Sequence, residues 1–537
     1  MAVITPQSDV YLLKVPLEID EINQLTFSNT TTQFNYFNSQ PKIEVDNFTY
    51  QRKDGTIRFP AKFDDVVNYN YVIYRNDAYS SKWFYAFVTG VEYLNDNVTA
   101  VSIKTDVFQT WQFDLVYKRT FVEREHVNDD SIGAHTVPEG LEVGEYVRSA
   151  NGVDYDYNGE YWLAFQVTEL ISNMSDSNTG GRIYNGIYNG VMVVLVDSYT
   201  TADLLIAAYD DAAKADAIIS CFYLPKSLEP NPIVNSGVVL HGQTVTVNYP
   251  RARTDAVRLT TLTVPRPTSL DGYTPKNNKM FTREFCYLYA SNNSGVDLTY
   301  NFEDWRNADG TTRTEADFRV EGAISQGASI RMYPESYYKM PPTSPTGYSK
   351  QAYGYGIVGG KLPICSWNSD YYTNWLTQNS VNIGLDTTRS TLGAAASLIT
   401  GNIAGATDSL LSGIGGVVAK QYEASLVPDQ AKGNVNSGDI NFTSRKEFTL
   451  IAMTVRNEYA RICDDFMSMF GYKVNRVKIP NVTGRRNWNY VKTIGCYIEA
   501  DIPQDDLQEI KSMFDKGVTF WHNPATFMDY SQTNDIV

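Results

Sequence analysis

From Thr391 to Ala419 the chain reads TLGAAASLITGNIAGATDSLLSGIGGVVA, and Asp408 is the only charged residue in it. The rest of the chain is acidic and patterned for water, with 61 Asp and Glu against 45 Lys and Arg and a net charge of -16. About thirty small and apolar residues without a normal supply of charge cannot rest on a wet surface. The segment must be buried, face copies of itself in an assembly, or meet a lipid bilayer. One span across the whole segment would put Asp408 in hydrocarbon, which is costly unless the carboxyl is protonated or paired. The six glycines in the segment also make it a poor constitutive anchor. Two short helices or strands meeting near Thr407 and Asp408 fit better, as an apolar hairpin loop. Its apolar contacts are expected from Leu392, Leu398, Ile399, Ile403, Leu410, Leu411, Ile414, Val417 and Val418. Gly401 and Gly405 form a G-x-x-x-G, which lets backbones approach closely. Two readings stand side by side: a hairpin buried for good in its subunit or oligomer, and a membrane-active loop.

Around this segment the pattern is mostly β. The sequence has 537 residues, 38 Tyr and 24 Phe, a mixture that favours half-buried strands and interfaces over helix bundles. VYLLKVPLEI, TIRFPAKF, YNYVIYR, WFYAFVTGVEYL and TAVSIKTDVFQTW read as strands, and Asn95-Asp96-Asn97 makes Trp83 to Trp111 a long hairpin. GVMVVLVDS is a short buried-strand pattern, followed by the helix ADLLIAAYDDAAKADAI with Thr201 as its expected cap. Trp367 to Asn379 is expected to start a short helix, and MPPTSPTGY a Pro-rich bend. In the C-terminal part, Tyr459, Ile462, Cys463, Phe466, Met469 and Phe470 follow helical spacing up to Gly471. Leu507, Ile510, Met513 and Phe514 repeat that spacing up to Gly517, with strand patterns between the two helices. The fold class is mainly β with α+β parts. The expected domains are a β-rich part over 1–150, an inserted α+β module over 151–255, a second β-rich part over 256–385, the apolar loop over 386–442 and a C-terminal α+β part over 443–537.

The residues argue against several function classes. The net negative charge and a pI near 4.8 repel phosphate backbones, although an acidic wall suits a conduit through which DNA slides without sticking. Lys473, Arg476, Lys478, Arg485, Arg486 and Lys492 form a basic cluster, read as a solvated hairpin face or an interface in preference to a DNA contact. Five scattered cysteines with no C-x-x-C encode neither a zinc site nor a disulfide framework, and fit a protein made in a cytoplasm. GYGIVGGKL lacks the first glycine and the Ser or Thr of a phosphate loop, and reads as a strand and turn. His126, His135, His241 and His522 show no ligand spacing. The pairs Asp210-Asp211, Asp464-Asp465 and Asp505-Asp506 sit on expected helices, where neighbours point about 100° apart and make no glycosidase clamp. No catalytic residue, cofactor or metal is expected. The N-terminus lacks the basic region and apolar core of a secretory signal.

FMSMFGYKVNRVKIPNVTGRRNWNYVKTIGCYIEADIPQDDLQEIKSMFDKGVTFWHNP resembles the C-terminal signature of the tail knob proteins, the distal tail-tube proteins of short-tailed phi-29-like phages. WFYAFVTGVEYLNDNVTAVSIKTDVFQTW, RTFVEREHV and DVYLLKVPL resemble the same family. The resemblance implies a β-rich subunit of a tubular homohexamer with a DNA-sized lumen. It further implies a hydrophobic loop that plugs the lumen and is then released to help form a channel across the host membrane, and Thr391 to Ala419 lies at the corresponding place. Partners implied are other copies of the chain, other tail proteins, genomic DNA passing without sequence-specific binding, and the host membrane. The implied location is the distal tail of the virion, after assembly in the host cytoplasm. Asp408 is then a candidate insertion brake. The runner-up is a tail or collar assembly protein whose apolar hairpin is only a subunit contact.

Overall fold

The computed structural model describes residues 8–46, 55–76, 81–156, 160–175, 191–253, 256–338, 355–366 and 446–537, apart from isolated positions, together with the short strands at 183–184, 187–188 and 434–435. They are mainly β and fall into two compact units. The first comprises Met1–Val143, Pro275–Met280 and Glu458–Val537; the second comprises Gly144–Thr274 and Phe281–Asn457.

The first unit opens with a six-stranded antiparallel sheet. Its spatial order is Lys42–Val45, Ser8–Leu13, Tyr71–Asn76, Phe84–Asn95, Val98–Thr105 and Thr56–Phe59. Successive side chains on a strand point to opposite faces. One set, including Val10, Leu12, Val72, Phe84, Ala86, Val101, Ile57 and Phe59, forms a shared core. The sheet curls around it, so that Phe48, just beyond one edge strand, meets Phe59 of the other with ring centroids 6.4 Å apart. The opposite set (Leu13, Tyr71, Ile73, Tyr85 and Phe87) packs with Phe37 of the helix Thr30–Asn38 and with Trp488 and Trp521. The expected hairpin over Trp83–Trp111 is there, closed by Asp96-Asn97, but it ends at Thr105. Asp106 then caps the short helix Val107–Trp111, its carboxylate accepting from the Gln109 amide at 3.0 Å. A cap with the β-branched and aromatic residues of a strand behind it reads locally as more strand.

Besides the short pair Val116–Tyr117 and Ile498–Glu499, this unit holds a five-stranded sheet in the order Asn23–Leu25, Val518–Trp521, Trp488–Ile494, Thr120–Glu125 and Tyr472–Lys478. The two strands expected between the C-terminal helices are present, and Thr120–Glu125 lies between them and bonds to both. The helix Gln504–Lys516 buries Leu507, Ile510, Met513 and Phe514 against Val107, Phe108, Val491 and Phe520, on the spacing expected. Each such side chain, fully buried, contributes roughly 1.5–3 kcal/mol.

The second unit holds a seven-stranded sheet ordered Ile233–Leu240, Gln243–Tyr249, Met192–Val196, Tyr161–Val167, Ile218–Pro225, Ile364–Ser366 and Asn434–Val435. Met192–Val196 is the expected buried strand, and the helix Tyr199–Asp211 follows it directly. Its cap is Ser198, whose hydroxyl accepts from the Thr201 amide at 3.1 Å; Thr201 itself stands in the first turn. Ala202, Leu205, Ala208 and Tyr209 pack on Phe165, Val167, Val194 and Val196. Two four-stranded sheets and the small pair Ile183–Tyr184 and Ile187–Tyr188 also belong to this unit; one four-stranded sheet ends on Ile357–Val358, the strand inside the phosphate-loop lookalike.

Candidate functional site

The segment Thr391–Ala419 lies outside the described residues, and with it every apolar position from Leu392 to Val418, Gly401, Gly405 and Asp408. The expected helix start at Trp367–Asn379 and the Pro-rich bend lie outside them too. The points where the chain departs and returns are described. Ile364–Ser366 is paired with Ile218–Pro225, and Asn434–Val435 is paired antiparallel with Ile364–Ser366, Ser366 opposite Asn434 and Cys365 opposite Val435. Residues 367–433 thus leave and rejoin the seven-stranded sheet at directly opposed backbone positions, about 5 Å apart. Among the described residues, no helix is long and apolar enough to cross a membrane.

The most elaborate polar construction in the first unit grips the peptide Pro275–Met280. The Asp464 carboxylate accepts from the Lys276 amide at 2.8 Å, the Asn277 amide at 3.0 Å and Asn277 Nδ2 at 2.9 Å. The Asn278 amide and its Nδ2 donate to the side chain and carbonyl of Asp130, at 3.2 and 2.9 Å. Lys279 runs over the Tyr472 ring to Glu139, which also holds Arg124 and accepts from the Lys473 amide at 2.9 Å. Glu139, Lys279, Arg124 and Asp464 are all buried. Burial pushes the Asp130 carboxyl above its usual range, against the hydrogen bonds it accepts from Tyr472 and Asn278. A buried charge is tolerated only when paired and hydrogen-bonded, so these three carboxylates define the path of the peptide closely. Sequence reading missed this clasp. Its one local signal is the phase of the helix Asn457–Phe470, which buries Ala460, Cys463, Asp464 and Met467 and leaves Ile462 exposed, where spacing had placed Ile462 on the apolar face.

The other candidates resolve into structural roles. His126 Nδ1 accepts from the Tyr490 amide at 2.8 Å and its Nε2 lies 3.1 Å from the Ser468 carbonyl, so Nε2 donates; burial drives it down to about 3. His522 bridges Thr26 and Asn489 and is lowered by burial to about 4. In the basic cluster, Lys478 pairs with Glu125, Lys492 with Glu123 at 2.9 Å, and Arg485 donates to the carbonyls of Val127 and Asn534. Of the paired carboxylates, Asp506 accepts from Trp111 Nε1 at 2.8 Å, Asp211 meets His241, and Asp464 belongs to the clasp. Among the described residues, no group of three or more His, Cys, Asp or Glu could hold a metal ion.

The buried polar groups described above hold the chain in place. Comparison with known proteins gives the family. Residues 7–117 match the N-terminal domain of caudoviral major tail proteins. Residues 248–535, more than half of the chain, match the C-terminal domain of the tail knob protein gp9 of Bacillus phage phi29, and the chain belongs to that family. It is 26% identical to tail knob protein gp9 of Bacillus phage B103, over 97% of both chains. It is 25% identical to the same protein of Bacillus phage PZA, over 98% of both. The solved bacteriophage C1 tail knob protein gp12 shares its fold, with a TM-score of 0.62 over 99% of this chain and 100% of that one at 14% identity. The chain is a virion structural protein of the phage tail and not an enzyme.

Proposed function

We propose that copies of this chain assemble as a homohexamer into the distal tail tube, conduct the genome during ejection, and carry in Leu392–Val418 a loop that plugs the lumen and then enters the host membrane. The observation that carries the reading is the pairing of Ser366 with Asn434. It gives residues 367–433 a common root on a sheet edge, and their middle holds about thirty residues with a single charge, which need an apolar environment. Copies of such a loop rooted around one axis would bury one another in a closed lumen. Released, their small residues would permit close helix contacts in a bilayer. The acidic surface would let DNA slide without being held. The thiols of Cys286 and Cys496 are buried and form no disulfide, which suits assembly in a reducing host cytoplasm.

End-on electron-microscope class averages of the intact chain and of a deletion lacking Thr391–Ala419 test the proposal. Sixfold rings whose central density disappears in the deletion, and liposome leakage caused only by the intact chain, are expected. Rings with the same empty centre in both samples would remove the plug. Loss of the rings on deletion would favour the alternative, a tail assembly protein whose apolar hairpin is a subunit contact.

A further inference from the structure

The five-stranded sheet of the first unit carries an uncovered apolar row. In the ladder, Phe121 stands opposite Val477 on one side and opposite Ile494 on the other. Directly opposed residues share a face of the sheet, so Ile494, Phe121 and Val477 form one line across three strands, roughly 10 Å from end to end. Their neighbours Val122 and Thr493 are buried on the other face. The row itself is open to solvent, with Ile494 58% exposed, Phe121 36% and Val477 64%. Exposed apolar side chains continue in sequence at Ile479 and Tyr497. A strand pattern normally turns polar residues to water, and these positions do the reverse.

The charges around the row say what fits it. On the same face, Glu123 is neutralised by Lys492 at 2.9 Å. Exposed Arg119 precedes Phe121 by two residues and so lies on the same face, and among the described residues it has no carboxylate partner; Arg476, opposite Val122, belongs to the other face. An apolar centre with an unpaired guanidinium at its margin suits a protein surface that carries carboxylates, and the chain's own excess of Asp and Glu supplies one. A phosphate backbone or an anionic bilayer presents a continuous row of charge that the apolar middle of this face would leave unpaired. We propose that this face docks a second copy of the chain, with Ile494, Phe121 and Val477 as the desolvated centre and Arg119 meeting a carboxylate of the neighbour. The edge strand Tyr472–Lys478 is not what docks. It is irregular between Lys473 and Arg476 and rich in cations, two devices that discourage strand addition. The proposal rests on the homo-oligomeric reading above and names the surface through which it is made.

The test uses the full chain and the double substitution Val477→Glu, Ile494→Glu, both at exposed positions. Sedimentation across a concentration series measures assembly, and thermal unfolding checks that the fold is kept. A photo-crosslinking benzoylphenylalanine in place of Phe121 identifies the neighbour. The expected result is an assembling parent chain, a dissociation constant at least tenfold weaker in the variant, and crosslinks from position 121 to a second copy. Arg119→Glu provides the same readout should the double variant lose thermal stability. A parent and variants that assemble alike overturn the face and leave the oligomer standing. A parent that is monomeric at every concentration overturns both. Crosslinks in whole virions that reach only a different tail protein overturn the choice of partner.

Discussion

Asp464 and Asp465 are adjacent on one helix, and the structure gives them opposite weights. Asp464 is buried and holds two backbone amides and one side-chain amide of Lys276 and Asn277. Asp465 is exposed and makes one ion pair to Lys276 at 3.5 Å. A hydrogen bond to a charged group is worth about 1.5–3 kcal/mol, and removing its acceptor leaves buried donors unmet. The three are not additive, because water would reach part of the vacated space, so Asp464→Ala is expected to cost about 3–5 kcal/mol. For a unit of this size that lowers the melting temperature by roughly 10 °C. Asp464→Asn keeps one acceptor oxygen but turns an amide toward the donors, and should fall between the two. Asp465→Ala should cost less than about 1 kcal/mol, since a pair this exposed is screened by water. Calorimetry gives the totals, and hydrogen exchange at the Lys276 and Asn277 amides reports the clasp itself, with protection lost only in the Asp464 variants. Equal losses from Asp464→Ala and Asp465→Ala, or unchanged protection after Asp464→Ala, would refute the argument.

Asp106 accepts from the Tyr71 hydroxyl at 2.8 Å and from the Gln109 amide, yet burial lifts its carboxyl from 3.8 to about 7. The folded value lies above the unfolded one, so the protonated acid is favoured on folding and its contribution is full below about pH 4 and lost as pH rises toward 7. Asp106→Asn, whose oxygen keeps the bond from the Gln109 amide while its amide can donate to a rotated Tyr71 hydroxyl, should remove a pH dependence on the order of 4 kcal/mol, read as the difference between variant and parent in denaturant titrations from pH 4 to 8. Gly471 and Gly495 both have φ of +66°, but a Cβ on Gly471 would stand 2.2 Å from the Glu125 carbonyl oxygen while one on Gly495 meets nothing within 4 Å. Gly495→Ala is expected to cost about 1 kcal/mol and Gly471→Ala at least twice that; similar unfolding midpoints for the two would count against the close approach. For the proposed loop, Asp408→Asn should flatten the pH dependence of liposome insertion and, near neutral pH, make it easier by less than the roughly 2.5–3.5 kcal/mol an ionised Asp costs, since the amide is still polar, and an unchanged pH profile would end the idea of a brake.

What the sequence discloses and what it hides follow from the range of the interactions concerned. The hairpin at Asp96-Asn97 and the helix carrying Leu507, Ile510, Met513 and Phe514 announce themselves because turn chemistry and a 3.6-residue period act within a dozen residues. Ser198 as a cap was three residues away from the residue expected, a small error of boundary. Asp464 was invisible because what justifies its burial lies 187 and 188 positions earlier, at Asn277 and Lys276. The placing of Thr120–Glu125 between two C-terminal strands was hidden for the same reason, since no local pattern records which distant strand fills a gap. The candidate loop is the converse case. Its composition alone singles it out, and composition says that it needs an apolar environment without saying which one.

The five-stranded sheet also has a consequence for synthesis. Asn23–Leu25 runs parallel to Val518–Trp521, and the Thr26 amide donates to the Trp521 carbonyl at 2.8 Å. Almost the entire chain separates the two, and a ribosome takes on the order of a minute to cover that distance. Through that interval Thr120–Glu125 lacks both of its neighbours, so the row of Ile494, Phe121 and Val477 does not yet exist. Fragments from interrupted translation never acquire it. The latest residues made are the ones that complete the sheet, so under the docking proposed above a subunit becomes able to join its neighbours only once it is whole.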